Sequence, residues 1–321
     1  MAIRVGFVGT GGIARAHMGP LAKMKDVKLV AFCDVQADRA QAAANDFKGA
    51  AYTDHREMLE REDLQALYVC VPPGFHTDAE IIAAKKGIHL FIEKPIELSL
   101  EKARKIEAAI EKAGVISSVG YHWRYQDSTR AAKKRLANRT IAMVLGYWMG
   151  GLPGVPWWRV MAQSGGQMVE QTTHIFDLAR YLVGDVRRVC AKYALRVMTD
   201  VPNLDVPDVG SVVLEFENGA VGTISNCCCL NFGYRVELDI VCRDLVIEVG
   251  GAVRIIEAGK DEKIESKTDV RFAQNRAFID AIKSGKREAI ESDYSDALKT
   301  LAVSVGANKS AETGKPVEVE T

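Results

Sequence analysis

Residues Ile3 to Ala14, IRVGFVGTGGIA, run from an apolar stretch into a glycine-rich turn and on into a segment that can be helical. A chain that starts this way is committed to a strand–turn–helix unit. Gly9, Gly11 and Ala14 fill the G-x-G-x-x-G/A pattern, and each position has a steric reason: Gly9 permits a tight turn, Gly11 lets backbone approach a phosphate, and Ala14 lets helix and strand pack closely. The turn Gly9-Thr10-Gly11-Gly12-Ile13 then presents the unpaired N–H groups of a helix N-terminus to the pyrophosphate of a dinucleotide. A second apolar run, Lys28 to Phe32, ends at Cys33-Asp34, which puts Asp34 20 residues beyond Ala14. A carboxylate there can accept hydrogen bonds from an adenosine ribose. It also repels a 2′-phosphate, and Val35 and Gln36 offer no cation, so NAD is expected over NADP. Arg39 on the following helix keeps NADP as the alternative.

The length of 321 residues, with 48% hydrophobic and 26% charged, suits two folded domains. Lys plus Arg and Asp plus Glu both count 42, so no global field draws in nucleic acid or an anionic membrane. No apolar run reaches about 18 residues, and the N-terminus enters a strand without a charged leader, so a cytoplasmic protein without membrane or nucleic-acid partners is expected. Seven cysteines without C-x-x-C spacing read as reduced thiols. In a strand the Cys227-Cys228-Cys229 side chains alternate between faces, so the three cannot converge on one ion, and no metal is expected.

Along the chain, helical patterns (Ala37 to Phe47, His55 to Arg61, Thr77 to Lys86, Glu101 to Lys112) alternate with short apolar runs up to Val115 to Tyr121. Six strands in this alternation predict a doubly wound parallel sheet. Leu67 to Val71 stops at Pro72-Pro73, which brings Pro72 and His76 to the carboxyl edge of that sheet, where ligands bind. Ile88 to Ile92 delivers Glu93-Lys94-Pro95 to the same edge. A lysine there can hydrogen-bond a substrate hydroxyl or developing alkoxide. The first domain is expected to close at residue 121 and the second to cover 122–321. In the second, strand follows strand: Asn218-Gly219 and Gly250-Gly251 are two-residue hairpin signals. This part reads as an α+β domain with a large, mostly antiparallel sheet covered on one face by helices. Apolar alternation in Cys227 to Leu230 and Val236 to Val241 predicts that the open face joins another subunit.

A helix predicted from Gly166 to Val183 carries Glu170 and His174 four residues apart, on one face. A carboxylate beside an imidazole is an acid/base pair: the ring can accept an alcohol proton and the carboxylate can orient it.

Taken in order, Gly9-Thr10-Gly11-Gly12-Ile13-Ala14-Arg15 with His17, Ala84-Lys85-Lys86-Gly87-Ile88-His89 before Glu93-Lys94-Pro95, and Gly165-Gly166 followed by His174 and Asp177 resemble the glucose-fructose oxidoreductase / inositol dehydrogenase / rhizopine catabolism (Gfo/Idh/MocA) family. The resemblance implies an N-terminal Rossmann domain, NAD(P)-dependent hydride transfer at a secondary alcohol of a sugar, cyclitol or related small polyhydroxylated substrate, and Lys94 and His174 at the reacting hydroxyl. It implies aspartate where this chain has Glu170. It further implies Tyr121, Trp123, Arg124, Arg159 and Tyr234 at the substrate, and a homodimer or homotetramer built on the open sheet. Two other activities fit the same residues: a glycosidase or lyase using transient oxidation, and a dinucleotide-binding regulatory protein without turnover.

Overall fold

A computed structural model describes residues 2–320. Two compact units emerge: residues up to Glu97, Glu101–His122 and Asp269–Asp296 form the first, and Leu98–Leu100, Trp123–Thr268 and the chain from Ala297 onward form the second.

In the first unit strands and helices alternate: β1 Ile3–Val8, α1 Gly12–Ala22, β2 Val27–Cys33, α2 Ala37–Phe47, β3 Ala50–Tyr52, α3 His55–Arg61, β4 Ala66–Val69, α4 Ala79–Lys85, β5 His89–Ile92, α5 Leu100–Ala113 and β6 Ser117–Val119. The strands pair in parallel in the order β3-β2-β1-β4-β5-β6, the doubly wound arrangement expected from the alternation. The order reverses beside β1, which places the switch-point crevice at the carboxyl ends of β1 and β4. Phe7, Tyr68 and Phe91, from the neighbouring strands β1, β4 and β5, stack in series at 4.9 and 4.6 Å, and each is fully buried. β4 ends before the two prolines, and Pro73–Phe75 form a short 3₁₀ turn. β6 is shorter than the run Val115 to Tyr121 suggested, because Tyr121 and His122 already fold back onto the carbonyls of Val119 and Gly120.

The second unit contains α6 Asp127–Leu136, β7 Ile141–Met149, α7 Met161–Ser164, α8 Gly166–Glu170, α9 Thr173–Leu182, β8 Val186–Ala194, β9 Val209–Phe216, β10 Val221–Cys227, β11 Arg235–Cys242, β12 Leu245–Val249, β13 Ala252–Glu257 and β14 Lys260–Glu265. The chain ends with α10 Val270–Ser284, α11 Tyr294–Thr313 and β15 Val317–Glu318. α10 packs on α1 in the first unit. Nine strands form one sheet, ordered β14-β13-β12-β11-β7-β10-β9-β8-β15. Only the β7–β10 pair is parallel, so the sheet is mixed and mostly antiparallel. Both glycine hairpins form, β9–β10 at Asn218-Gly219 with Gly219 at φ +90 and β12–β13 at Gly250-Gly251. One face of the sheet packs on α9: a side chain at Gly146 would strike Ile175.

The predicted continuous helix over 166–183 is interrupted. α8 and α9 are separated by Gln171 and Thr172. The N–H of Thr172 reaches five residues back to the Gln167 carbonyl at 2.9 Å, a π-type widening of the kind that recurs at functional sites. Thr172 is held there by Asn226, whose Nδ2 donates to Thr172 Oγ1 at 3.1 Å. The segment opens on two left-handed residues, Gly165 at φ +73 and Gly166 at φ +78. A β-carbon would strike Leu98 at the first and Met161 at the second, so the glycine pair is a steric requirement.

Candidate active site

Within the first unit, Gly9 sits at φ +84, and a β-carbon there would collide with the carbonyl oxygen of Cys70 at the end of β4. Gly11 and Gly12 face open space: an added β-carbon would meet nothing within 4 Å. α1 starts at Gly12 without any side-chain cap, so its first N–H groups are available to an anion. Asp34 is 9% exposed. Its Oδ2 accepts from Thr10 N–H and Thr10 Oγ1, both at 3.0 Å, and its Oδ1 accepts from Gln36 N–H at 3.0 Å. The carboxylate therefore braces the glycine turn and retains lone-pair capacity for a ribose hydroxyl. Uncrowded glycines, a bare helix N-terminus and a buried acid fit a dinucleotide, with Gly9, Thr10, Gly11, Gly12, Ile13 and Asp34 as the residues that would hold it.

At the ends of β4 and β5 the same unit holds a buried polar cluster. Glu93 is 3% exposed; its Oε1 bonds His17 Nε2 at 2.7 Å and accepts from Arg271 at 2.9 Å, and its Oε2 accepts from the Lys94 N–H at 3.1 Å. Burial pushes the Glu93 pKa up, but the His17 hydrogen bond and charge, with Arg271 and Lys94, outweigh it and hold it at about 2. His17 is locked from its other side by Asn275 at 2.8 Å. Gly120 leaves room for this carboxylate, since a β-carbon there would strike it. Nearby, His122 is driven down to about 4 by burial and then by the Arg271 charge, which outweigh the opposing Glu93 charge and Gly120 carbonyl, and so it is neutral around pH 7. Lys94 itself is half-buried and precedes a cis peptide to Pro95. His17, His122, Asn275 and Arg271 were not assigned roles from the sequence. Arg271 is 178 residues from Glu93, and no local pattern announces it.

The other expected residues of this unit differ in character. Pro72 is half-buried at the carboxyl edge. The ring of His76 is wholly enclosed, with Nδ1 2.5 Å from Glu80 Oε1, while its carbonyl accepts from Lys102 at 2.6 Å. It shapes the edge from within the protein. Tyr121 is 1% exposed.

In the second unit, His174 is 6% exposed. Its ring lies nearly parallel to those of Trp123 and Trp148, both with centroids at 5.8 Å and interplanar angles of 13° and 16°. The two indoles are 6.3 Å apart, so the three centroids form a triangle and no ring lies between the other two. Glu170 accepts from the indole N–H of the buried Trp158 at 2.9 Å, and the widened turn at Thr172 intervenes between it and His174. Arg124 forks onto Asp177 at 2.8 and 2.6 Å, with Thr300 donating to the same carboxylate at 3.3 Å. Arg159 is half-buried, its Nε enclosed without a hydrogen-bond partner. Tyr234 stands 69% exposed. Cys228 is buried while Cys227 and Cys229 are half-buried. Among the described residues no group of three or more His, Cys, Asp or Glu side chains could hold a metal ion.

Residues 3–121 match the oxidoreductase family with an NAD-binding Rossmann fold, and residues 129–248 match the GFO/IDH/MocA C-terminal domain. The chain belongs to the Gfo/Idh/MocA family. As a Gfo/Idh/MocA protein it is an NAD-binding oxidoreductase. It is 28% identical over 333 residues to myo-inositol 2-dehydrogenase of Thermotoga maritima, covering 99% of both chains. It is 26% identical to the NAD-dependent scyllo-inositol 2-dehydrogenase of Bacillus subtilis, over 99% of this chain and 96% of that one. The fold superposes on the WlbA dehydrogenase of Bordetella pertussis, solved with NADH and UDP-GlcNAcA, with TM-score 0.85, 24% identity and full coverage of both chains. Among the described residues no helix is long and apolar enough to cross a membrane.

Proposed function

We propose that this protein is a dehydrogenase acting on a secondary alcohol of a sugar, cyclitol or sugar derivative, with Lys94 and His174 serving the reacting hydroxyl. The observation that carries the reading is the buried Glu93 cluster. A carboxylate tied to His17, Arg271 and the Lys94 N–H holds the backbone that carries Lys94 at the carboxyl end of β5, and catalysis by positioning needs such a support. When bound, NAD supplies the hydride acceptor. Lys94 donates a hydrogen bond to the alcohol oxygen, and His174 accepts the hydroxyl proton as neutral imidazole. The inositol dehydrogenases among the relatives support a cyclic polyol as substrate.

The test is NADH formation across a panel of cyclitols and sugars. Lys94→Ala and His174→Ala should each lower turnover by about 10²- to 10⁴-fold while NADH binding, read by fluorescence titration, changes little. Wild-type turnover in either variant would remove that residue from the chemistry.

We also propose a homodimer or homotetramer formed through the open face of the nine-stranded sheet. Met143, Leu145 and Tyr147 of β7 are half-buried at alternate positions, and Val213 and Val221 are 50% and 51% exposed.

A further inference from the structure

Beside α8, the second unit has a small, partly open cavity lined by residues of α7, α8, β8, β9, β10 and α11. Gln167, Tyr193 and Asn308 are among its lining residues, and in each a polar atom is enclosed without a hydrogen-bond partner: Gln167 Oε1, Tyr193 Oη and Asn308 Oδ1. The orientation of both amides is settled by their donors. Gln167 Nε2 donates to the Cys227 carbonyl at 2.9 Å and to Gln171 Oε1 at 3.2 Å, and Asn308 Nδ2 donates to the Gly165 carbonyl at 2.8 Å. Turning either amide over would set its oxygen against a carbonyl oxygen, so the atoms left to the cavity are acceptors. Burial pushes the Tyr193 pKa up, so this group stays protonated and can donate.

We propose that this cavity is a binding site for one ordered water, which donates to Gln167 Oε1 and Asn308 Oδ1 and accepts from Tyr193 Oη. The count is complementary: water carries two donors and can accept, and buried waters typically make about three hydrogen bonds. A metal cation would find only neutral groups, since the cavity is lined by no carboxylate to offset the loss of its hydration shell. An anion would meet two carbonyl dipoles of the wrong sign. Gln167 lies on α8, Tyr193 on β8 and Asn308 on α11, so a single molecule ties a helix to the sheet and to a second helix. The same Gln167 accepts, through its carbonyl, the five-residue bond from Thr172. The water therefore secures the residue at which the helix widens between Glu170 and His174, and Tyr193 acts on that turn as a positioning residue without touching either side chain.

The kinetic part of this inference rests on the proposed role of His174, but the site itself does not. A crystal structure of the full chain, at a resolution that shows ordered solvent, should contain one peak within about 2.6–3.2 Å of all three oxygens. Tyr193→Phe keeps the ring and removes only the donor. It should lose or displace the peak, lower the Tm, and reduce kcat a few-fold at unchanged KM for NAD. Replacing potassium or ammonium chloride by choline chloride should leave the wild-type Tm where it is. A dry cavity, the three oxygens bonded to one another, or stabilisation by one of those cations would each overturn the water site. Unchanged kcat in a Tyr193→Phe protein that has lost the peak would overturn the positioning role. Failure of the proposed chemistry would leave the peak and the Tm readout intact, so the two failures are distinguishable.

Discussion

Glu93 is the residue on which the first unit's polar interior turns, and its energetics are readable as a function of pH. Its pKa lies at about 2 in the fold against an ordinary value of 4.5, so the charged form is favoured by folding. A depressed carboxylate contributes stability that is complete above the unfolded pKa and is lost as pH falls toward the folded one. A depression of this size corresponds to ~3 kcal/mol. Glu93→Gln should accordingly be less stable than wild type by a constant amount above about pH 5, with the gap closing between pH 4.5 and about 2. Urea unfolding at a series of pH values checks this, and a gap independent of pH across that window would refute the charge-based account. Asp34 does something that its place in the motif did not reveal, since it braces Thr10 of the glycine turn. Asp34→Asn should weaken NADH binding by roughly 10- to 100-fold, the worth of a hydrogen bond to a charged group. It should also narrow the preference for NADH over NADPH, because the charge that repels a 2′-phosphate is gone. Titrating both reduced cofactors against both proteins decides it, and an unaltered preference would show that the discrimination resides elsewhere.

At the scale of elements, the β1–α1 turn follows from local sterics, and a single methyl group tests it. Gly9→Ala adds a carbon against the Cys70 carbonyl at a positive φ, so either the turn opens or β4 shifts. A loss of about 1–3 kcal/mol together with loss of NADH binding is expected in thermal melts and titrations. Normal binding in a fully folded Gly9→Ala protein would mean that the turn does not serve the dinucleotide. The interruption between α8 and α9 shows the converse case. Glu170, Gln171, Thr172 and Thr173 carry no helix breaker, and the periodicity across them is unbroken. The widened turn is anchored by Asn226 on β10, 54 residues away, which donates to Thr172 Oγ1. A window of local sequence has no access to that anchor.

At the scale of the whole molecule, the nine-stranded sheet leaves one face without helices, and its apolar positions predict association. Arg235 crosses that sheet surface over the Tyr147 ring at 3.8 Å and pairs with Asp239 at 2.7 Å, so the face is mixed, with charges already matched within the protomer. Light scattering after size exclusion should report a dimer or tetramer, and Val213→Asp with Val221→Asp should shift the mass toward the protomer while NADH binding is kept. A wild-type protein that runs as a monomer at micromolar concentration would remove the proposed interface.

What the sequence determined by itself is what short-range physics controls. A glycine pattern with an acid at a set distance, apolar runs of strand length between helical periods, and two hairpin dipeptides were enough to specify a doubly wound parallel sheet followed by a largely antiparallel one, and to bring Lys94 to the edge where ligands bind. Each of these depends on backbone sterics or on side-chain periodicity within a few residues. What only the tertiary structure decided are the partners of the buried polar groups. Arg271 on Glu93, Asn275 on His17, Arg124 on Asp177 and Trp158 on Glu170 join positions separated by 178, 258, 53 and 12 residues. A buried charge must find a partner wherever the folded chain supplies one, and that requirement fixes the chemistry of the pair while leaving its address to the fold.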